Sequence, residues 1–318
     1  SRDTGIKNTD NSSWTESAGW STWASLDKQA GHGGLSEIGV DPITKLPNRE
    51  IYGKESVQDP DRWKYPTAFP SNPVLAATFN VELIERAGEM VGEDGLWGGY
   101  NGIYGTGLNI HRSPYAGRAF EYFSEDSFLT GVIAGRWSRG CQSKGVYVYN
   151  KHLALNEQEY GRYGISTFLN EQTFREIYLR AFEIPIVSYD AKCIMGALNR
   201  VGVQWASACK ALNTDWLRGE AGLSGFVVTD WWEGGIMNDT DNTDYYMQLG
   251  QIIMAGTDLP DGVLTTEKLN RYKHGGNNEN CELAWAMRES AHRIMYTVAH
   301  SNAMTGFTEN KRVVTVVP

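Results

Sequence analysis

The fold of this chain is indicated most clearly by the run Gly225-Phe226-Val227-Val228-Thr229-Asp230-Trp231. Its apolar, β-branched centre is typical of a buried β-strand, and the run ends on a carboxylate and an indole. A second run, Val146-Tyr147-Val148-Tyr149-Asn150-Lys151-His152, has the same form and also ends on polar side chains. Strands that are apolar on both faces are typical of parallel sheets covered by helices.

Outward from these two runs, strand-like and helix-like segments alternate along most of the chain. Strands are predicted at 74–80, 107–112, 146–152, 192–195, 225–230 and 255–259. Helices are predicted at 81–97, 126–140, 170–182, 206–219, 244–254 and 283–300. This alternation predicts an α/β protein, and the favoured architecture is a (β/α)8-type TIM barrel, complete or incomplete.

The C-terminal ends of barrel strands form a single rim, where active sites lie. Polar or bulky side chains end several predicted strands, and we therefore expect them to meet at this rim. They are His111, Arg112, Lys151, His152, Met195, Asp230 and Trp231. No Gly-x-Gly-x-x-Gly run opens a predicted helix after a strand, which disfavours a dinucleotide site. No cofactor is predicted.

Composition disfavours several other classes of function. The 318 residues include 29 Lys and Arg against 38 Asp and Glu, a formal net charge of −9, which argues against a nucleic-acid partner. No apolar run approaches the ~20 residues of a membrane span. The cysteines are too far apart in the sequence for a structural zinc site, and no metal is predicted.

Residues 238–244 alternate acidic and amide side chains, which are suitable oxygen ligands for calcium. The run lacks the central Gly and the terminal Glu of the helix–loop–helix calcium site. A solvated acidic loop is therefore the favoured interpretation, with calcium binding as the alternative.

The chain divides into three predicted parts. Residues 1–66 have no sustained helical or strand period and are predicted to be a loop-rich segment packed on the barrel. Residues 67–304 are predicted to form the barrel itself. Residues 305–318 are predicted to be a tail, or a linker to a further domain.

Asp230 is the main catalytic candidate, although its sequence context leaves two interpretations open. A carboxylate at a strand end can cap the next helix or pair with a lysine of the sheet. It can also act as a nucleophile that forms a glycosyl ester, provided that cations or donors keep it ionised. Arg118, Lys151 and His152 are the residues that could supply this environment.

Several long motifs resemble glycoside hydrolase family 3, in the family's order. They cover most of the chain from about residue 65 to residue 304, which makes chance agreement improbable. The motifs are Asn109 to Asp126, Lys151 to Glu159 followed by Arg162, Phe174 to Leu179, Leu217 to Glu220, Gly225 to Trp231, and Ala255 to Leu259.

The resemblance implies the barrel domain of a retaining, exo-acting β-glycosidase of β-glucosidase or β-xylosidase type. Its substrate would be a β-linked oligosaccharide or glycoside. Asp230 would be the nucleophile, and Trp231 would pack against the bound sugar. The resemblance also implies that the hydroxyls and the wall of the sugar subsite are contacted by Arg118, Lys151, His152, Arg162 and Met195.

The chain departs from the family pattern at two positions near this subsite. Leu198, just before Asn199, stands where the family usually has a Tyr close to the nucleophile. The family's Asp-Gly-Pro segment is replaced by Gln58-Asp59-Pro60-Asp61-Arg62, and Asp59 is the corresponding candidate for binding the far hydroxyls.

The third departure concerns the general acid/base. Most of the family carries this Glu on a second α/β domain, and the loop at 156–168 has no His that could replace it. Glu157, Glu159 and Glu233 are local carboxylates, but their spacing selects none of them. We therefore expect the acid/base on a further domain of a longer protein. The alternative is a carbohydrate-binding relic that has lost turnover.

Overall fold

A computed structural model describes residues 23–24, 69–98, 101–162, 164–231, 249–261 and 281–303. The predicted segments 1–66 and 305–318 lie outside these ranges, apart from the strand Trp23–Ala24, and so does the candidate calcium loop at 238–244. Within the described ranges, none of the helices combines the length and hydropathy of a membrane span. The same ranges contain no group of three or more His, Cys, Asp or Glu side chains placed to hold a metal ion.

The protein has an α/β fold in which a six-stranded sheet curls into a half-barrel. Its strands are β1 (Trp23–Ala24), β2 (Gly102–Ile103), β3 (Tyr147–Leu153), β5 (Cys193–Gly196), β8 (Val227–Trp231) and β9 (Leu259–Asp261). The sheet order is β1-β2-β3-β5-β8-β9, and every neighbouring pair is parallel except β1 and β2. A small second sheet contains β4 (Ser166–Thr167), β6 (Arg200–Val201) and β7 (Gln204–Trp205).

Helices connect the strands of the large sheet. The α-helices are α1 (Asn72–Ala76), α2 (Val81–Gly98), α3 (Ser127–Gln142), α4 (Glu171–Thr173), α5 (Arg180–Tyr189), α6 (Leu249–Ala255) and α7 (Cys281–Ala299). A π-helical segment, Phe174–Leu179, joins α4 to α5, and a second one spans Ala211–Glu220. The helices predicted at 81–97, 126–140 and 283–300 are therefore confirmed in type. The one predicted at 170–182 extends to Tyr189.

The strand predicted at 74–80 is wrong, because this region begins with helix α1. A short apolar run does not by itself distinguish a strand from a buried turn of helix. Here Pro73 occupies the first turn of the helix, where its missing N–H costs nothing. Asn72 is tied to the neighbouring segment, since its Nδ2 donates to the Glu121 carbonyl at 2.6 Å.

The strand predicted at 107–112 is also displaced. Regular pairing with β3 occurs earlier, at Gly102–Ile103, and residues 107–112 contribute only isolated bridges from Gly107. The segment nevertheless stays beside β3, since the Leu108 amide donates to the Lys151 carbonyl at 2.6 Å. The segment therefore lies next to β3 without forming a regular ladder with it at this point.

Two hydrophobic clusters cover the two faces of the curled sheet. Ile133, Val148, Ile194 and Val227 belong to the larger cluster, which also includes residues of α2, α3 and α5. Aromatic side chains dominate the smaller cluster on the opposite, inner face of the sheet. This inner cluster contains Tyr104, Tyr147, Tyr149, Cys193, Met195, Phe226 and Val228. Because strand residues alternate between faces, Asp230 follows Val228 toward this second face.

A buried ion pair network fixes the start of β8 and therefore the position of its end. The Asp258 carboxylate lies 2.7 Å from Nη2 of Arg218 and 2.7 Å from Nη2 of Arg293. It also accepts a hydrogen bond from the Val227 amide at 2.8 Å. A single carboxylate thus joins β8, α7 and the π-helical segment Ala211–Glu220.

We expect Asp258→Ala to destabilise the protein by about 3–5 kcal/mol, because two partly buried guanidinium groups would lose their counter-ion. Urea unfolding followed by circular dichroism measures this change. Asp215→Ala is the matched control, since it removes an exposed pair with Lys210 and should change little. Equal effects of the two substitutions would show that the Asp258 network is not a major source of stability.

Candidate active site

The ends of β3 and β8 bring the predicted catalytic and binding side chains together. His152 Nε2 lies 3.6 Å from Oδ2 of Asp230, and Arg162 Nη1 lies 3.8 Å from the same oxygen. The Asp230 side chain keeps 15% of its surface exposed, whereas that of His152 is 1% exposed. Asp230 is thus accessible from solvent, with an imidazole and a guanidinium beside it.

A buried carboxylate, Glu121, holds the next two cations. Lys151 Nζ lies 3.3 Å from Oε2 of Glu121, and Arg118 Nε donates to Oε1 of the same residue. Burial alone would raise the pKa of Glu121, but the Coulombic attraction of Arg118 and Lys151 outweighs it and lowers that pKa to about 2. Glu121 therefore stays ionised and fixes both cations at the rim.

Glu159 connects Arg118 and Arg162. Its Oε1 lies 3.6 Å from Arg118 Nη1, and its Oε2 lies 3.0 Å from Arg162 Nη1. Asn156 Nδ2 donates to Oε1 of Glu159 at 3.2 Å. The predicted sugar-binding arginines are therefore tied to each other through a carboxylate that balances their charge.

The site is built to keep its imidazole neutral. Burial lowers the pKa of His152 well below its ordinary value, and the nearby cations Arg118, Lys151 and Arg162 lower it further. Burial also lowers the pKa of the Lys151 ammonium, although the Glu121 carboxylate opposes this effect. At neutral pH the ring can thus donate from one nitrogen and accept at the other.

Glu157, one of the local carboxylates named as a candidate acid, contacts Asn109. Its Oε1 accepts a hydrogen bond from Asn109 Nδ2 at 3.2 Å, and Asn109 in turn contacts the backbone of His152. Burial raises the pKa of Glu157 to about 7, although the hydrogen bond from Asn109 lowers it in part.

The remaining predicted residues lie at different depths or outside the described ranges. Met195 is buried in the inner cluster and pairs in register with Val228, one layer below Asp230. The backbone of Trp231 pairs with Asp261, whereas Asp59 and Glu233 lie outside the described residues. Leu198 packs with Leu249 and Ile252, in a cluster separate from the one that contains Met195.

Sequence reasoning missed several side chains that shape the site. Glu121 and Asn109 fall inside a recognised motif, but nothing in their spacing shows which charges they contact. Tyr122 lies edge-on to the His152 ring, with its hydroxyl 3.4 Å from Nδ1. Tyr104 donates to Oδ1 of Asp261 at 3.0 Å on the inner face. Burial raises the pKa of the Tyr104 phenol, and the nearby carboxylates Asp261 and Asp230 raise it further.

The curled parallel sheet and the charged cluster at its strand ends define an α/β protein with an enzyme-like rim site. The sequence model of the glycosyl hydrolase family 3 N-terminal domain matches residues 59–273. The chain therefore belongs to glycoside hydrolase family 3.

Curated relatives and solved structures agree with this assignment. The chain is 37% identical over 243 residues to beta-glucosidase A of Butyrivibrio fibrisolvens, an alignment that covers 75% of this chain and 27% of the relative. It is 36% identical over 200 residues to a probable beta-glucosidase I of Aspergillus flavus, covering 63% of this chain and 24% of the relative. The structure of beta-glucosidase 3B from Thermotoga neapolitana with glucose superposes with a TM-score of 0.67 at 32% identity, covering 80% of this chain and 35% of that one. The chain thus spans about a quarter to a third of the length of these proteins.

We expect Glu157→Gln to stabilise the protein at high pH but not at low pH. The pKa of this carboxyl is higher in the folded than in the unfolded chain. Its protonated form therefore favours folding below pH ~4.5, and this advantage is lost as the pH rises to about 7. Gln carries no charge to desolvate, and the gain at pH 8 should be about 2 kcal/mol after allowing for partial exposure.

Thermal unfolding of both proteins between pH 4 and pH 8 measures this difference. Glu125→Gln, which removes a carboxylate at an exposed position, serves as the control substitution. A pH-independent difference for Glu157→Gln would contradict the shifted pKa.

Proposed function

We propose that this chain contains the nucleophile-bearing domain of a retaining, exo-acting β-glycosidase that hydrolyses β-linked oligosaccharides or glycosides. The observation that carries the proposal is the partly exposed Asp230 carboxylate near the end of β8. This carboxylate lies within 4 Å of His152, near the end of β3, and within 4 Å of Arg162. Relatives named beta-glucosidases, in the same family, support the hydrolysis of β-glucosides in particular.

In the proposed mechanism, Asp230 attacks the anomeric carbon of the terminal, non-reducing sugar. The bond from this carbon to the leaving oxygen breaks, a glycosyl ester forms on Asp230, and an acid protonates the leaving oxygen. Water then hydrolyses the ester, with the same acid group acting as base. Arg162, whose Nη1 lies 3.8 Å from Oδ2, places a positive charge beside the attacking carboxylate.

We propose that the hydroxyls of this sugar are bound by Arg118, Lys151, His152 and Arg162. Charged donors bind hydroxyl oxygens more strongly than neutral ones, and the carboxylates of Glu121 and Glu159 hold the cations at fixed positions. Met195 and Trp231 would line the subsite, and Asp59 would bind the far hydroxyls, as the family resemblance implies.

The general acid/base is proposed to be a Glu on a second α/β domain of a longer protein. Within the described residues, Glu159 balances two arginines and Glu157 contacts Asn109, so both are already engaged. The same proposal includes domain boundaries at residues 66 and 304. It also includes a complete eight-stranded barrel, of which the described half-barrel is a part.

Trapping of the ester tests this proposal directly. A 2-deoxy-2-fluoro β-glucoside with a good leaving group should add one fluoroglucosyl mass to the protein, since the fluorine slows hydrolysis of the intermediate. Peptide mapping should place the label on Asp230. Absence of an adduct, in this chain and in the full-length protein alike, would favour the relic that binds sugar without turnover.

Asp230→Asn should abolish turnover and ester formation, while glucose affinity stays within about tenfold of the parent, because the substitution removes the nucleophile but almost no volume. Hydrolysis of an aryl β-glucoside and calorimetric titration with glucose measure the two effects. Asp215→Asn, on the exposed surface, is the control. Near-normal activity of Asp230→Asn would show that another residue is the nucleophile.

A further inference from the structure

Asn109 makes an unusual set of contacts with the backbone of His152. Its Oδ1 accepts a hydrogen bond from the His152 amide at 2.8 Å, and its Nδ2 donates to the His152 carbonyl at 3.1 Å. A single carboxamide thus pairs with both backbone polar groups of one residue. The Asn109 side chain is buried, with 1% of the residue exposed, so that water does not replace it.

These contacts lie where the sheet itself becomes irregular. The register between β3 and β5 shifts between Asn150 and Leu153, and residues 107–112 give no continuous ladder on the other side. Backbone groups at such an irregularity still need partners when they are buried. The Asn109 carboxamide takes the place of a neighbouring strand at His152.

Two further contacts hold the carboxamide and the imidazole in one arrangement. The second hydrogen of Asn109 Nδ2 is taken by Oε1 of Glu157 at 3.2 Å, and Oδ1 of Asn109 lies 3.4 Å from Nδ1 of His152. The opposite ring nitrogen, Nε2, faces Asp230. A displacement of the His152 backbone would therefore move Nε2 relative to the Asp230 carboxylate.

We propose that Asn109 is a positioning residue of the active site, whose carboxamide holds the backbone of His152 and thereby fixes the imidazole beside Asp230. Asn is the residue type that this role requires, because Asp offers no N–H to the His152 carbonyl and Ala offers neither group. The consequence for catalysis rests on the proposed glycosidase activity, whereas the placement of the ring does not.

The ring of His152 reports its own position by NMR. We would label the histidines of the chain with 15N, record long-range 1H–15N spectra between pH 5 and pH 8, and assign His152 from a His152→Gln sample. The groups that face or influence this ring are Tyr122, Asp230, Arg118, Lys151 and Arg162. In the parent protein we expect a single neutral tautomer throughout this range.

Two substitutions at position 109 should change this spectrum in different ways. Asn109→Ala should move the ring 15N shifts toward those of a tautomer mixture, because the backbone of His152 is released. Asn109→Asp has nearly the same shape but should place a carboxylate close to Nδ1, and we expect the pKa of His152 to rise into the measured range. If Asn109→Ala does not fold, Asn109→Asp still tests the donor half of the contact, because an ionised carboxylate cannot donate to the His152 carbonyl and the ring should lose its fixed position.

Asn213→Ala provides the matched control. Asn213 is also fully buried, and its Nδ2 donates to the carbonyls of Ala206 and Cys209, outside the contacts of His152. This variant should lose a similar amount of stability and leave the His152 spectrum unchanged. The proposal would be overturned by a parent-like His152 spectrum in a folded Asn109→Ala. A parent-like spectrum in Asn109→Asp would overturn it as well.

Hydrolysis separates this inference from the proposed function. In a form of the protein that hydrolyses an aryl β-glucoside, Asn109→Ala should lower kcat/KM by about 10²-fold, the cost of misplacing a group by about 1 Å. Asn213→Ala should keep the parent kcat/KM. Should the parent form no glycosyl ester, the proposed function fails, while the NMR comparison still decides whether Asn109 positions the ring.

Discussion

The balance of buried charge at the strand ends is the constraint on which the site depends. Glu121 lies between Arg118 and Lys151, and Glu159 lies between Arg118 and Arg162. Removing Glu121 would leave the buried Lys151 ammonium without the carboxylate 3.3 Å from it, which is strongly unfavourable in a poorly solvated place. The carboxylates therefore do more than neutralise the cations, since they also fix where the cations lie.

The same constraint explains why Asp230 can serve as a nucleophile in the proposed reaction. Its carboxylate is reached by solvent, yet it lies beside His152 and Arg162. Below it, the inner face of the sheet is filled with aromatic and aliphatic side chains, which exclude water from the centre of the half-barrel. The Asp258 network at the opposite end of β8 holds the strand in register. Packing beneath and ion pairs at the start of the strand thus act together on the position of one side chain.

His152 is held in a different way from the cations, because the contacts from Asn109 are made to its backbone. A register shift next to the site leaves peptide groups that the sheet does not pair, and the Asn109 side chain fills this gap. Irregular strands of this kind are common beside active sites, where they redirect a side chain. Here the irregularity allows both Lys151 and His152 to reach the rim, although consecutive residues of a regular strand point to opposite faces.

The sequence by itself determined the α/β class, the buried strands around Tyr149 and Val228, and the positions of Lys151, His152 and Asp230 at strand ends. These features follow from the local pattern of apolar residues and from the direction of each strand, both of which can be read along the sequence. The sequence misled at 74–80, where a short apolar run is compatible with helix and strand alike. Only the tertiary structure decided that Glu121 and Glu159 hold the cations, that Asn109 supports His152, and that Met195 lies one layer below Asp230. These contacts join residues from separate segments, and their distances depend on how the sheet curls, which no spacing along the chain specifies.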